Sequence, residues 1–496
     1  MQDTAKRSVI LVHPRASTGW SAQPWCDLPL ELLCVGSPLV RAGYRVHIID
    51  QRVQPDWRER LSTALAEKPV CVGVTSTTGP QLRQALEVSR LVKQQGNAPV
   101  VWGGVHASLL PEQTLEKAEI DFVVRGEGER TLQELVAALE SGREIRGIAG
   151  LWYKDSGRIV HGAPRPFIDL NEEPFLQYDL VDLPKYARTV FGVKRLSFST
   201  SRGCSFPCAF CCSTAYHGRR WRALRADIAV EQMKEFSRRY QVRGLFLTDP
   251  NFFLDLDRAR SILEGVVRGS LGLVFTRLHI RLDTLRRLSD EDISLIEKAG
   301  CRCLSTGVES GSARIRELLR KPIDEVELHE INRRLSRSRI MPLYFFMAGF
   351  PTETIEELGA TVRLFTKLVT DNPRAAKSLN LYMPFPCTEL YDLAVAEGLR
   401  PTQRMEDWFT FSYRNLGSGG SWLPDRVRKA VEMLDFCSFF VEDRGLVNPY
   451  KKTSLLAAAA ARLYAPIARA RVKNLFYHLP LEVKAAKRLG LYGHAS

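Results

Sequence analysis

The sequence predicts an α/β protein in three stretches. An N-terminal doubly wound, Rossmann-like sheet comes first, then a central partial (β/α)6 barrel, then a mostly helical C-terminal region. Three observations predict this. Short apolar strands alternate with helical periodicity over residues 1–150, six further strand–helix units lie between residues 195 and 385, and from about residue 390 the pattern is mostly helical. At 496 residues the chain has room for two or three full cores. The expected organisation is 1–150, a linker over 151–194, the barrel over 195–385 and a helical domain over 386–496.

In the first stretch, "SVILVHP" leads into a helical pattern around 30–42, followed by "RVHIID" and "CVGVTS" (71–76). Next come "GPQLRQALEVSRLVKQQG", "PVVWGG", a helix near 111–118 and "FVVRGEGE". Buried apolar strands alternating with helices indicate a parallel sheet wound on both faces. Ligands of such sheets bind beyond the carboxyl ends of the strands. Those ends carry "TSTTG" (75–79), "GGVHAS" (103–108) and "RGEGE" (125–129). Small and glycine-rich loops there let the backbone approach a large ligand.

The linker opens with a predicted hairpin around "KDSGR" and continues as the proline-punctuated "PRPFIDLNEEPFLQYDLVDLP". The barrel strands are "RLSFSTSRG" (195–203), "GLFLTD" (244–249), "VFTRLHIR" (274–281), "CLSTGVES" (303–310), "PLYFFMAGF" (342–350) and "SLNLYMP" (378–384). Helical patterns near 225–239, 256–268, 284–298, 324–338 and 353–371 separate them. Six units in this length make an open barrel, because eight would need more chain.

The apolar fraction of 45% and charged fraction of 25% are those of a soluble globular protein. No N-terminal signal stands out, and the apolar run "SLLAAAAARLYAPIA" is interrupted by Arg462 and too short to span a bilayer. The expected location is the cytoplasm. The net charge of +14 is spread over helix faces and the C-terminal tail, with no recognition helix or RNA-binding strand beside it, so nucleic acid is not the expected partner. The C-terminal "LYAPIARARVKNLFYHLP" mixes arginines with apolar residues, which fits a packed helix, peripheral membrane contact or a lipid-like substrate.

Of the 11 cysteines, four cluster in "SRGCSFPCAFCC". Scattered cysteines elsewhere argue against a secreted disulfide framework, and clustered thiols point to a metal or to catalysis. Cys204, Cys208 and Cys211 have the spacing C-x3-C-x2-C immediately after a strand. Zinc takes four ligands in paired units, and no second pair follows. Three thiolates suit a [4Fe–4S] cluster whose remaining iron is free for another ligand. Cys212 leaves the backbone on the opposite side from Cys211 and reads as a packed thiol.

The loop "CSFPCAFC", with Phe210 before its last cysteine, resembles that of the radical S-adenosylmethionine (SAM) enzymes, which use a partial (β/α)6 barrel. The likeness continues in "TDPNFF" (248–253), "GVESGS" (307–312) and "MAGFPTET" (347–354), the family's segments beside the methionine amino group, the ribose and the adenine. The resemblance implies that Phe210, Asp249, Asn251, Arg281, Glu309 and Gly349 contact SAM. Asp249 and Glu309 end strands and would face its cationic groups, while Arg281 would pair with its carboxylate. An internal salt bridge is the competing account of each of these three charged residues.

The N-terminal loops are similar to those of the cobalamin-binding domain of the magnesium-protoporphyrin cyclase-like subclass. That likeness assigns Thr75, Ser76, Thr77, Gly103, Gly104, His106, Gly126 and Glu127 to cobalamin. Two departures accompany it. No D-x-H-x-x-G motif occurs, which implies cobalt without a histidine below it, and His13 and His106 read as polar loop residues. "PFPCTELY" (384–391) places Cys387 where the subclass commonly has glycine.

The resemblance thus implies a methyltransferase acting on an unactivated carbon of a small-molecule or lipid-like substrate. Methylcobalamin and a 5′-deoxyadenosyl radical would carry the reaction, with electrons from a flavodoxin- or ferredoxin-type donor. The alternatives are a cobalamin-using cyclase or rearrangement enzyme, a tRNA methylthiotransferase, and a non-catalytic cofactor carrier. The methylthiotransferase is disfavoured by the uneven spacing of Cys26, Cys34 and Cys71 and by a helical rather than barrel-like C-terminus.

Overall fold

The computed structural model describes residues 7–16, 26–96, 98–411, 422–441 and 455–488. The chain forms two compact units. The first takes residues 1–187, 215–218 and 401–411; the second takes 188–214, 219–400 and 412–496.

The first unit is a seven-stranded sheet: β1 (Ser8–His13), β2 (Arg45–Asp50), β3 (Val72–Thr75), β4 (Val100–Gly103), β5 (Phe122–Val124), β6 (Leu151–Asp155) and β7 (Arg158–His161), in the order β2-β1-β3-β4-β5-β6-β7. The first five strands are parallel. Their residues Val9–Val12, Val72, Val74, Val100–Trp102 and Val123 are buried, as strands covered on both faces require. Helices Leu30–Arg41, Trp57–Ala66, Gln81–Gln95 and Glu129–Ser141 supply the cover. The order reverses between β1 and β3, the point where such sheets bind ligands.

The hairpin expected in the linker forms, and it adds to the sheet as antiparallel β6 and β7. Its turn residues Ser156 and Gly157 both have positive φ (49° and 79°), the two-residue turn that matches strand twist. The helix near 111–118 is shorter than its pattern suggests. It runs Pro111–Leu115, after a separate short helix Val105–Leu109 that the proline at its first position keeps it from continuing.

The second unit holds β8 (Arg188–Val190), β9 (Val193–Phe198), β10 (Ser201–Arg202), β11 (Arg222–Ala223), β12 (Gly244–Leu247), β13 (Val274–His279), β14 (Cys303–Glu309), β15 (Met341–Ala348) and β16 (Ala376–Leu381). Its sheet order is β16-β15-β14-β13-β12-β9-β8, with six parallel strands and β8 antiparallel at one edge. β16 and β8 do not pair, so the barrel is open, as expected. The helices between strands are Ala226–Tyr240, Leu256–Arg268, Asp290–Lys298, Glu325–Leu335 and Ile355–Asp371. Two of them begin with capping boxes, Ser289 with Asp292 and Thr354 with Glu357, which satisfy otherwise orphaned N–H groups. β10 and β11 form a short antiparallel clip at either end of the cysteine loop.

Beyond β16 the chain is helical at Glu389–Ala396, Asp425–Val441, Leu455–Lys473 and Leu481–Arg488. The exception is Pro401–Phe411, which belongs to the first unit. There Trp408 Nε1 donates to Gln113 Oε1 at 3.0 Å, and Lys117 pairs with Glu406 at 2.5 Å.

Candidate active site

The cysteine loop leaves β10 through Gly203, at φ +76°, and ends where the helix Cys212–His217 starts. Cys204, Cys208 and Cys211 are half-buried. The Cys211 amide donates to the Cys208 carbonyl at 3.1 Å, a turn that folds the loop on itself. The three thiols are close enough to feel one another's charge: Cys208 raises Cys204, and Cys208 and Cys204 both raise Cys211, on top of a larger push from burial. Among the described residues no three His, Cys, Asp or Glu side chains converge on a single metal ion. A four-iron cube spreads its thiolate ligands wider than one ion does. Cys212 is also half-buried, and burial pushes its thiol up to about 12.

Arg281, just past β13, closes on this loop. Its Nη1 lies 2.9 Å from Cys208 Sγ, its guanidinium stacks 3.8 Å over the Phe206 ring, and its Nε donates to Asp283 at 3.0 Å. The Arg281 guanidinium thus has a sulfur, an aromatic face and a carboxylate of this chain as partners, and its pairing with the SAM carboxylate stands as a proposal beside them.

Asp249 likewise has partners within the chain. It is fully buried, and its carboxylate accepts from the Thr200 amide (2.7 Å), the Thr200 hydroxyl (2.5 Å) and the Ser201 hydroxyl (2.6 Å). These bonds brace β10, and burial raises its pKa despite them. Glu309 forms a buried ion pair with Lys321 at 2.6 Å from a left-handed backbone (φ +66°).

Asn251 behaves differently. It is fully buried, and neither its Nδ2 nor its Oδ1 has a partner. An orphaned buried amide costs about 1–3 kcal/mol per unmade bond, so native proteins keep one where a ligand satisfies it. A donor and an acceptor on one side chain fit the amino and carboxylate groups of a bound amino acid moiety, as in SAM. Gly349, at the end of β15 with φ +90°, has both backbone groups occupied: its amide donates to Glu353 Oε2 (2.7 Å) and its carbonyl accepts from Trp422 Nε1 (2.9 Å). Phe210 is half-buried in the loop. Cys387 is exposed with φ +59°, the left-handed conformation glycine adopts freely.

Sequence reasoning missed two groups. At the end of β13, His279 Nδ1 lies 2.9 Å from the Ser305 hydroxyl, and burial and Arg277 hold its pKa down at about 3, so it is a neutral imidazole. Glu353 is buried with Oε1 unpartnered, and burial pushes its carboxyl up to about 8. The signal for Glu353 was its place four residues after Gly349; nothing local marks His279.

In the first unit the three glycine-bearing loops meet. The Ser76 amide and hydroxyl both donate to the Gly103 carbonyl (2.8 and 2.7 Å), the His106 amide donates to the Ser76 carbonyl (3.1 Å), and the Gly126 amide donates to the Ser108 hydroxyl (2.9 Å). Thr75 is buried behind them, while Thr77 is exposed with its amide on Gln81. Gly104 has φ +90°, and a Cβ there would meet the Ser76 carbonyl at 2.6 Å. Gly126 has φ +81° and open space where its Cβ would be, the cradle a large ligand fills. Its carbonyl accepts from Tyr216 at 2.9 Å. Glu127 accepts from the Ile168 amide at 3.2 Å. His106 is fully buried and held neutral by burial, near 3, with Nδ1 at 3.1 Å from the Thr78 hydroxyl and Nε2 unpartnered. His13 pairs with Glu31 at 3.1 Å.

A parallel sheet with a glycine-lined carboxyl edge and an open barrel headed by a three-thiol loop define a radical enzyme with two cofactor sites. Comparison with known proteins agrees. The B12 binding domain family matches residues 28–136, and the radical SAM superfamily matches residues 198–365. The chain is 33% identical over 388 residues to an uncharacterized methyltransferase of Pyrococcus horikoshii, covering 77% of this chain and 82% of that one. It is 27% identical over 392 residues to the anaerobic magnesium-protoporphyrin IX monomethyl ester cyclase of Cereibacter sphaeroides, covering 77% of this chain and 63% of that one. Among solved structures, the radical SAM methyltransferase TsrM from Kitasatospora setae superposes with TM-score 0.66 at 24% identity over 80% of this chain and 78% of its own. The cobalamin-dependent enzyme OxsB does so with TM-score 0.69 at 17% identity over 97% of this chain and 75% of its own. The chain belongs to the radical SAM superfamily, in the group whose barrel follows a B12 binding domain. Its cofactors are a [4Fe–4S] cluster, SAM and cobalamin.

Proposed function

We propose that this enzyme transfers a methyl group to an unactivated carbon of a small organic molecule. The observation that carries the reading is the coexistence in one chain of the three-thiol loop and the glycine-lined cobalamin edge, in a sequence 33% identical to a methyltransferase over most of both chains. Bound together, the three cofactors supply a methyl donor and a one-electron means of removing hydrogen from carbon. The chain's part is to hold and orient them. Cys204, Cys208 and Cys211 would ligate the cluster, with Arg281 placing positive charge on Cys208 and steadying the loop through Phe206. Asn251 would bind the amino acid end of SAM, and the Gly349 backbone, fixed from both sides, would border its adenine. Gly103, Gly104 and Gly126 would let cobalamin approach the sheet edge.

We place the enzyme in the cytoplasm and its electron source among flavodoxin- or ferredoxin-type donors. The scattered placing of the cysteines outside the loop, unlike a secreted disulfide framework, supports a reducing compartment.

Methyl-deuterated SAM tests the reading. With the true substrate the product should gain the labelled methyl, and S-adenosylhomocysteine and 5′-deoxyadenosine should form in roughly equal amounts. Unlabelled product with complete SAM cleavage would replace methyl transfer by cyclisation or rearrangement.

A further inference from the structure

Nine large apolar side chains are exposed among the described residues, and five of them fall within residues 463–481: Leu463 (80%), Ile467 (54%), Phe476 (43%), Leu479 (67%) and Leu481 (67%). Leu463 and Ile467 stand four apart on the helix Leu455–Lys473 and so share a face. Beyond that helix the chain doubles back. The Arg471 guanidinium donates to the carbonyls of Phe476 (3.0 Å), His478 (3.2 Å) and Leu479 (3.1 Å), and Glu482 accepts from the Tyr464 hydroxyl (2.7 Å) and Arg471 Nη2 (3.0 Å). These bonds hold the turn and the helix Leu481–Arg488 beside residues 464–471. Leu479 is fixed in a left-handed backbone (φ +54°), a conformation leucine avoids, with its side chain outward.

The charge around these side chains has one sign. Residues 463–488 contain six lysines and arginines and one acid, Glu482, which Arg471 and Tyr464 occupy. Arg469, Lys473, Lys484 and Arg488 are exposed. No helix among the described residues is long and apolar enough to cross a membrane. Protruding leucines and a phenylalanine among exposed cations are the make-up of an element that lies in a bilayer interface, apolar side chains entering the acyl boundary and cations meeting lipid phosphates.

We propose that the C-terminal helical hairpin, residues 455–488, docks the enzyme on an anionic lipid bilayer. Charge complementarity selects this occupant. An uncharged surface would leave the exposed Lys473, Lys484 and Arg488 without a counterpart, and each lysine or arginine near an anionic leaflet strengthens binding about fivefold.

The test uses anaerobically reconstituted full-length protein and vesicles of phosphatidylcholine alone or mixed with phosphatidylglycerol. The protein should sediment with the mixed vesicles at least tenfold better than with phosphatidylcholine, and high salt should release it. Lys473→Gln with Lys484→Gln should weaken binding roughly twentyfold while iron content and uncoupled SAM cleavage stay at the starting level. Leu463→Asp with Leu479→Asp should abolish binding, and both sites being exposed, thermal stability should hold. Equal sedimentation with both vesicle types, or none with either, overturns the proposal. So does a concentration-dependent dimer that the leucine variants dissociate, which would assign the face to a second copy of the chain.

Discussion

Trp422 Nε1 donates a 2.9 Å hydrogen bond to the carbonyl of Gly349, so a buried side chain from beyond the barrel fixes the end of β15. The Trp422 ring also meets Tyr382 edge-on at 6.2 Å, and Tyr382 in turn packs on Phe350 at 5.5 Å. Trp422→Phe keeps most of the packing and removes only the donor. An unsatisfied carbonyl here costs about 1–3 kcal/mol. The expected outcome is a melting temperature lowered by a few degrees and SAM binding weakened several-fold by calorimetry, with iron content unchanged. Unchanged SAM affinity would reduce Trp422 to a packing residue.

The other side of the same glycine predicts a pH dependence. Glu353 accepts the amides of Gly349 and Phe350 through one oxygen, leaves the other buried and unpartnered, and is pushed by burial from 4.5 up to about 8. A carboxyl whose folded pKa is raised stabilises fully below the unfolded value, and that contribution is lost progressively as pH rises towards the folded one. Stability should therefore decline between about pH 4.5 and pH 8 on this account. Glu353→Gln retains an acceptor for both amides and cannot ionise, so its melting temperature should fall less over that interval. Parallel curves for both proteins would remove Glu353 as the source.

Two glycines on the cobalamin edge should respond differently to alanine. At Gly104 the new Cβ would lie 2.6 Å from a backbone carbonyl at φ +90°, a clash that only a backbone shift relieves. Gly104→Ala should lower thermal stability and cobalamin retention together. At Gly126 nothing lies within 4 Å, so Gly126→Ala bears only the left-handed strain, about 1–2 kcal/mol. It should stay folded yet retain less hydroxocobalamin after gel filtration, because the methyl projects where the ligand would lie. Full retention would place the ligand away from Gly126.

What the sequence made legible is what local pattern encodes. Six barrel strands, their helices and the C-x3-C-x2-C loop all rest on residues near one another in the chain, and each appears where the pattern places it, except that the helix near 284–298 is split into Leu282–Leu285 and Asp290–Lys298. What it hid depends on long-range pairing. Nothing local says that Arg281 reaches Cys208, 73 residues away, or that Asp249 spends its oxygens on Thr200 and Ser201. A strand-end acid looks the same in sequence whether it faces a ligand or a loop. The return of Trp408 to Gln113, 295 residues back, was equally hidden, because its surroundings read as part of the helical C-terminal domain. Asn251 was marked by motif, but only the fold shows that both of its polar atoms are left for something else.

The cluster ligands give the last prediction. Cys204, Cys208 and Cys211 share one loop and sense one another's charge, whereas Cys212 opens the following helix with its thiol pushed up to about 12 by burial. Burial also raises Cys204 and Cys211, so acidity alone does not separate ligand from non-ligand. Position does, because adjacent residues at a helix start send their side chains in different directions. Reconstituted protein should bind about four irons and four sulfides at this site, and the triple Cys204→Ala, Cys208→Ala, Cys211→Ala variant none. Cys212→Ala should keep the full iron complement and SAM cleavage within about twofold of the starting protein, at a cost of about 1 kcal/mol for the lost packing. Arg281→Met would test the neighbouring charge: the loop keeps an apolar contact for Phe206 and Cys208 loses its cation, so iron should load while the cluster's reduction potential falls. Loss of iron from the Cys212 variant would show that the fourth thiol is a ligand and that the three-thiol assignment is wrong.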